Sequence, residues 1–217
     1  MKKYKFSTLI ILIISICTIT LVRADEPKLK VRTIYIDPGH GGRDPGATYK
    51  DIKESDINLQ ISTILKEILE NEGATVYMTR SGDYDLSTIN TKNHKKSDLE
   101  NRAKLINESN CDLYISIHLN SDTGSTWNGL QIFYTTKNKN NKEIADQIEK
   151  QFKNEMNMQR KSKIIKNMYL FDRITKPGIL IEVGFISNEN DRYKLQQEDY
   201  QKKVAITIKN SLINYFK

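Results

Sequence analysis

The chain has 217 residues, of which 38% are hydrophobic and 28% charged, a balance that fits one soluble domain with a full core and excludes a disordered chain. Its formal charge is +7, but Lys2, Lys3, Lys5 and Arg23 lie in an acid-free first 24 residues, so the 34 bases fall to 30 against 27 acids beyond them, a net +3. With no basic cluster interleaved with aromatics, nucleic acid is excluded as a partner, whereas a polyanionic cell wall is compatible.

In residues 1–24, the basic start is followed by the apolar run Leu9–Val22, and Val22-Arg23-Ala24 offers small residues to a signal peptidase. The run falls short of the roughly 20 residues of a membrane span. It reads as a signal peptide, with an uncleaved anchor as the alternative because Phe6–Leu9 can extend it. Either implies export. Cys17 is no lipid attachment site, because Ile16 stands where lipoprotein signals carry a small residue. Loss of the leader leaves Cys111 alone, so no internal disulfide is expected; it reads as a small buried hydrophobe.

Residues 25–30 read as a polar linker and 31–217 as one domain. Val31–Ile36 is the first strand, and Asp37-Pro38-Gly39 ends it. His40 follows in a loop rich in glycine (Gly39, Gly41, Gly42, Gly46), where a close approach is permitted. After a polar loop over 48–55, Ile57, Ile61, Ile64, Leu65 and Ile68 predict a helix over Asp56–Asn71, capped by Ser55. Ala74–Thr79 is a second strand, which completes a βαβ unit. Residues 81–97 form a long polar loop. Ser97-Asp98-Leu99-Glu100 predicts a capping box for a helix reaching about Asn110. Asp112–Ile117 is an apolar strand with His118 directly after it.

Residues 120–128 are loop, Gly129–Thr135 an alternating strand, and Asn140–Met158 a helix by the spacing of Ile144, Ile148 and Phe152. Met168–Phe171 reads as a short strand. Ile179–Val183 is a buried strand interrupted by Glu182. A short helix over Asn188–Leu195 and an amphipathic one over Asp199–Phe216 close the chain. The pattern predicts a single α/β domain: a twisted, mainly parallel mixed sheet of about six strands with helices on both faces.

His40 and His118 each follow a buried strand, as active-site residues do at the carboxyl edge of an α/β sheet. Two imidazoles and a carboxylate suit a zinc that keeps one position open, where water becomes a nucleophile near neutral pH. A second carboxylate is then needed as proton shuttle. Glu182, on a rigid strand in apolar surroundings, suits the shuttle; its alternative is a buried acid paired with arginine. A loop carboxylate such as Glu54 suits the ligand, but chemistry alone does not choose it from Asp51, Glu54 and Asp56. His94, among Lys92, Lys95 and Lys96, reads as solvated loop.

IDPGHGGRDPGA (36–47), KESDINL (53–59), VYMTR (76–80), LENRAKLIN (99–107), YISIHLNS (114–121) and ILIEVGFISN (179–188), in this order and spacing, resemble the zinc-dependent N-acetylmuramoyl-L-alanine amidases of the Amidase_3 family over nearly all of 32–216. The resemblance implies one Zn2+ held by His40, Glu54 and His118, with Glu182 as catalytic acid/base. It also implies cleavage of the amide between N-acetylmuramic acid and L-alanine in peptidoglycan. WNGLQIFY (127–134), ITKPGILIEVGFISN (174–188), the loop over 83–98 and the lack of a wall-binding repeat resemble the spore-cortex branch of that family. That branch implies removal of stem peptides ahead of muramic-δ-lactam formation, a role in germination, and an exported protein between the forespore membranes. Relatives in the broader family are controlled by partner proteins, so an accessory protein is a further expectation. Asn120 and Arg80 are the expected substrate contacts, each with a purely structural alternative. A zinc peptidase acting within the stem peptide and a non-catalytic wall-binding protein are the competing functions.

Overall fold

The computed structural model describes residues 26–217; the expected leader lies outside them. Thirteen elements follow in order: β1 (Thr33–Pro38), β2 (Thr48–Tyr49), β3 (Ile52–Lys53), α1 (Glu54–Asn71), β4 (Thr75–Met78), α2 (His94–Glu108), β5 (Leu113–Asn120), β6 (Gln131–Tyr134), α3 (Asn141–Met156), β7 (Lys163–Ile164), β8 (Gly178–Phe185), α4 (Glu189–Leu195) and α5 (Glu198–Tyr215). Six strands form one sheet in the order β4-β1-β5-β8-β6-β7, and β2 and β3 form a separate hairpin. β4, β1, β5 and β8 are parallel, and β6 joins β8 antiparallel. The mixed sheet is as expected.

Side chains alternate across a strand, and this alternation sorts the sheet into two cores. Ile34, Ile36, Ile115, Ile117 and Ile181 pack against α1, α3 and α5. Each aliphatic side chain of the α1 stripe (Ile57, Ile61, Leu65, Leu69), all buried, contributes about 1.5–3 kcal/mol relative to exposure. Tyr35, Tyr114 and Leu180 face the other way, onto Ala103 and Ile106 of α2 and onto Leu170, Phe171 and Ile174. No helix among the described residues is long and apolar enough to cross a membrane.

Several boundaries depart from the sequence reading. In the stretch read as linker, Leu29 is fully buried, and its N–H donates to the Glu72 carbonyl at 2.9 Å. β1 runs through Asp37, because its carboxylate finds buried partners. α1 begins at Glu54, so Ser55 is helical and not a cap, and no side chain caps this end. α2 begins at His94 with Asn93 as its cap, accepting from the Lys96 N–H at 3.0 Å. The expected capping box therefore lies inside the helix. Ser97 and Asp98 instead accept from the backbone N–H groups of Thr88 and Leu86, at 2.9 and 2.7 Å, and so hold the preceding loop. Met168–Phe171 is a turn that buries Leu170 and Phe171 and leaves Met168 exposed, and the short edge strand is Lys163–Ile164.

At the carboxyl end of β1 the fully buried Asp37 carboxylate accepts from Arg102 Nη1 at 2.9 Å, Thr79 Oγ1 at 2.7 Å and Ser116 Oγ at 2.7 Å. Arg102 Nε also donates to Asp98 at 2.9 Å. Burial by itself pushes the Asp37 carboxyl up, but the guanidinium and the two hydroxyls outweigh it and hold the group below its ordinary range. Its contribution to stability is therefore present above the unfolded value of 3.8 and lost as the pH falls through the folded one. Arg102→Met leaves Asp37 charged and unpaired in the interior, and should cost about 3–5 kcal/mol, read as a lowered midpoint in urea unfolding at pH 7. An unchanged midpoint would mean the pair does not anchor the fold.

Candidate active site

The loop after β1 is held from below by two buried arginines. Arg102 donates to the carbonyls of Pro38 at 2.8 Å and His40 at 2.6 Å. Arg80 donates to Pro38 at 3.0 Å, Gly39 at 2.9 Å and Ser55 at 2.8 Å. Under these bonds His40 takes a left-handed backbone with φ of 62°, a conformation that costs a non-glycine residue about 1–3 kcal/mol and that turns the imidazole inward. Gly39 is required because a Cβ there would stand 2.2 Å from the His118 ring. Gly46, with φ of 69°, is required because a Cβ would stand 2.5 Å from Glu54 Oε2. The close approach that the glycines permit is thus made by the site's own side chains.

His40 Nε2 lies 3.2 Å and His118 Nδ1 3.0 Å from Glu54 Oε1. One ligand atom from each of the three side chains lies within 4.8 Å of the others. A tetrahedral ion with bonds of about 2.0–2.1 Å sets its ligands about 3.3 Å apart, so this donor set fits a divalent metal. Glu54 is buried in the first turn of a helix, not carried on a pliable loop as its sequence neighbourhood suggested. The N–H groups of Ala47 and Leu119 donate to its carboxylate at 2.8 and 2.9 Å, and Asn58 Nδ2 donates at 3.3 Å. Burial pushes the Glu54 carboxyl up, but the two imidazoles overcome this and hold it far below its ordinary range.

The other nitrogen of His40, Nδ1, lies 3.0 Å from Asp44 Oδ2, which also receives Lys95 Nζ at 3.2 Å. Burial lowers the His40 pKa, but Asp44 and Glu54 raise it more, to about 9. A cation bound here competes with that proton.

Glu182 is the register neighbour of His118. Its Oε2 is buried with no hydrogen-bond partner, and burial is the main reason its pKa rises to about 7. The alternative of an arginine-paired acid is therefore not what the structure holds. The groups converge on a cleft of about 410 Å³, also lined by Lys95, Leu99, Met168, Tyr169, Leu170 and Phe171.

The expected contacts divide. Arg80 is 1% exposed and spends its donors on backbone carbonyls, so it has no surface to offer a substrate and serves the loop. Asn120 lies one bulge beyond His118 and opens onto a neighbouring cavity instead. His94 stands apart from the ligand cluster, 3.3 Å from Ser87 Oγ. Asp37, Asp44, Asn58 and Arg102 were missed as site residues. All four lie inside the motifs over 36–47, 53–59 and 99–107, but nothing in their spacing distinguishes a buried partner from a solvated polar group.

A profile described as N-acetylmuramoyl-L-alanine amidase (Amidase_3) matches residues 34–214. The germination-specific N-acetylmuramoyl-L-alanine amidase of Bacillus subtilis (strain 168) is 42% identical over 192 residues, 87% of this chain and 81% of that protein. Among solved structures, the CwlD amidase from Clostridioides difficile, in complex with the GerS lipoprotein, aligns with a TM-score of 0.80 and 35% identity over 85% of this chain and 98% of that one. The catalytic domain of CwlV, an N-acetylmuramoyl-L-alanine amidase from Bacillus (Paenibacillus) polymyxa var. colistinus, aligns with a TM-score of 0.74 and 28% identity over 85% of this chain and 98% of that one.

Asp44→Asn keeps an acceptor near His40 but removes the charge. It should weaken metal binding by about 10–100-fold in a Zn2+ titration against a chelating indicator, with little change in the melting of the metal-free protein. Unchanged affinity would separate Asp44 from the metal site.

Proposed function

The chain belongs to the N-acetylmuramoyl-L-alanine amidase family, Amidase_3, and from that premise we propose that it cleaves its amide with one zinc ion held by His40, Glu54 and His118 and with Glu182 as the acid/base. The observation that carries this reading is the unpartnered, buried Glu182 Oε2 in the same cleft as a two-histidine, one-carboxylate cluster. Zinc, when bound, supplies Lewis acidity that polarises the lactyl carbonyl and lowers the pKa of water.

The remaining work falls to the chain. Glu182 takes the proton from the attacking water and hands it to the nitrogen of L-alanine as the amine leaves. A pKa near 7 suits both transfers, because neither protonation state is costly near neutral pH. Ala47, Leu119 and Asn58 hold the Glu54 carboxylate in place with their N–H groups. Asp44 fixes the ring orientation and tautomer of His40, since its carboxylate requires the proton on Nδ1 and leaves Nε2 free. Leu99 and Phe171 line the same cleft with apolar surface.

Within this activity we read a spore-cortex role. The Bacillus subtilis relative is named for germination, and the Clostridioides difficile amidase was solved with a lipoprotein partner. Both support removal of stem peptides in cortex maturation, ahead of muramic-δ-lactam formation, by an exported enzyme served by an accessory protein. Residues 1–24 would then be its signal or anchor, and 31–217 its catalytic domain.

Glu182→Gln should bind Zn2+ and melt like the parent, yet lose about 10²–10⁴-fold in turnover. The products, read by mass, should be intact stem peptides beginning at L-alanine, and chelation should abolish them. Fragments cut within the stem would favour the peptidase alternative, and near-normal turnover in the variant would remove Glu182 from its role.

A further inference from the structure

Beside the catalytic cleft lies a second cavity of about 310 Å³, lined by Asn120, Trp127, Gln131, Arg160, Lys163 and Phe185 among others. Gln131 is the register partner of Glu182 on the adjacent antiparallel strand, so its Cα stands about 4.5–5.5 Å from that of Glu182. The Arg160 guanidinium sits 5.0 Å from the Trp127 ring and 5.1 Å from the Phe185 ring. Its Nη2 donates to the Asn128 carbonyl at 2.9 Å. Stacking and this bond set the cation in place while leaving other donors of its fork unspent.

The charge around it is mainly positive, with Asp122 and a Glu149 carboxylate on the Ser162 N–H as the acids nearby. Residues 157–171 carry Arg160, Lys161, Lys163 and Lys166 and no acid, and none of the four makes an ion pair among the described residues. The carboxylate of Asp122, which also lines the cavity, is turned onto the Gly124 N–H at 2.9 Å. Trp127 is 59% exposed, so the cavity is open to solvent.

We propose that this cavity is a subsite for a carboxylate of the stem peptide, with Arg160 and Lys163 as its cations. The inference rests on the amidase reading and adds which part of the substrate lies where. The sugars of the glycan are neutral N-acetyl sugars, whereas the stem carries free carboxylates. The first belongs to its second residue, a γ-linked D-glutamate, about 7 Å along an extended chain from the scissile amide. That span matches a site one strand away from Glu182. The glycan then leaves the cleft on the other side, toward Leu99 and Met168. A guanidinium held flat by rings suits paired hydrogen bonds to a planar carboxylate.

The test compares two soluble muropeptides on the zinc-loaded enzyme, one with the D-glutamate α-carboxylate free and one with it amidated. The parent should favour the free form by about tenfold in kcat/KM, equivalent to about 1.4 kcal/mol, and less so as salt rises. Arg160→Gln and Lys163→Gln should each reduce that preference, by raising KM on the free form more than on the amidated form. The ratio within one variant cancels any loss of folded protein, and Lys163, exposed on an edge strand, makes no side-chain contact the fold needs. A preference that survives both substitutions, or a parent that does not discriminate, overturns the subsite. A loss confined to walls bearing phosphate polymers overturns the stem assignment in favour of a phosphate ligand. If the parent, supplied with the accessory protein it needs, cleaves neither muropeptide, it is the amidase reading that fails, and the subsite with it.

Discussion

A guanidinium sealed inside the protein, that of Arg102, holds together what the rest of the site depends on. One edge of its fork neutralises Asp37 at the end of β1 and another meets Asp98 on its own helix, while the remaining donors take the carbonyls of Pro38 and His40. Neither charge has water to fall back on, so each requires the other. The pair therefore joins the sheet, α2 and the histidine loop in one fixed arrangement, and the left-handed backbone of His40 is tolerable only inside it. Arg80 repeats the device one layer over, with backbone carbonyls alone.

On that support two glutamates acquire opposite characters. Glu54 and Glu182 lie in the same cleft, and burial pushes both carboxyls up. Glu54 is then surrounded by two imidazoles, two backbone N–H groups and an amide, so its anion is the stable form. Glu182 receives no donor at all on Oε2, so a proton is held near neutral pH. The difference between the two carboxyls follows from the count of donors aimed at each, not from residue type.

The sheet edge beyond Glu182 extends this asymmetry. The turn over 168–171 and Leu99 of α2 add apolar side chains to a cleft that also holds charged groups, and a separate cavity presents stacked rings and cations. The antiparallel β6 places Gln131 and its neighbours beside β8.

The sequence by itself determined much of the plan. Apolar runs located five of the six strands of the sheet and put His40 and His118 near one edge, although β5 continues through His118 to Asn120. The acid inside Ile179–Val183 marked Glu182 as the candidate shuttle, with an arginine pair as its alternative. Glu54 was legible only through resemblance to a family, since three acids lie within six residues and local pattern treats them alike. Tertiary structure alone decided the rest. It made Glu54 the start of a helix, turned Met168–Phe171 from strand into cleft wall, buried Arg80 where a substrate contact was expected, and brought Asp44 to His40 and Asp37 to Arg102. Each of these depends on what a side chain meets across the fold. Polar partners are chosen by desolvation and distance, and neither leaves a periodic signature in the chain.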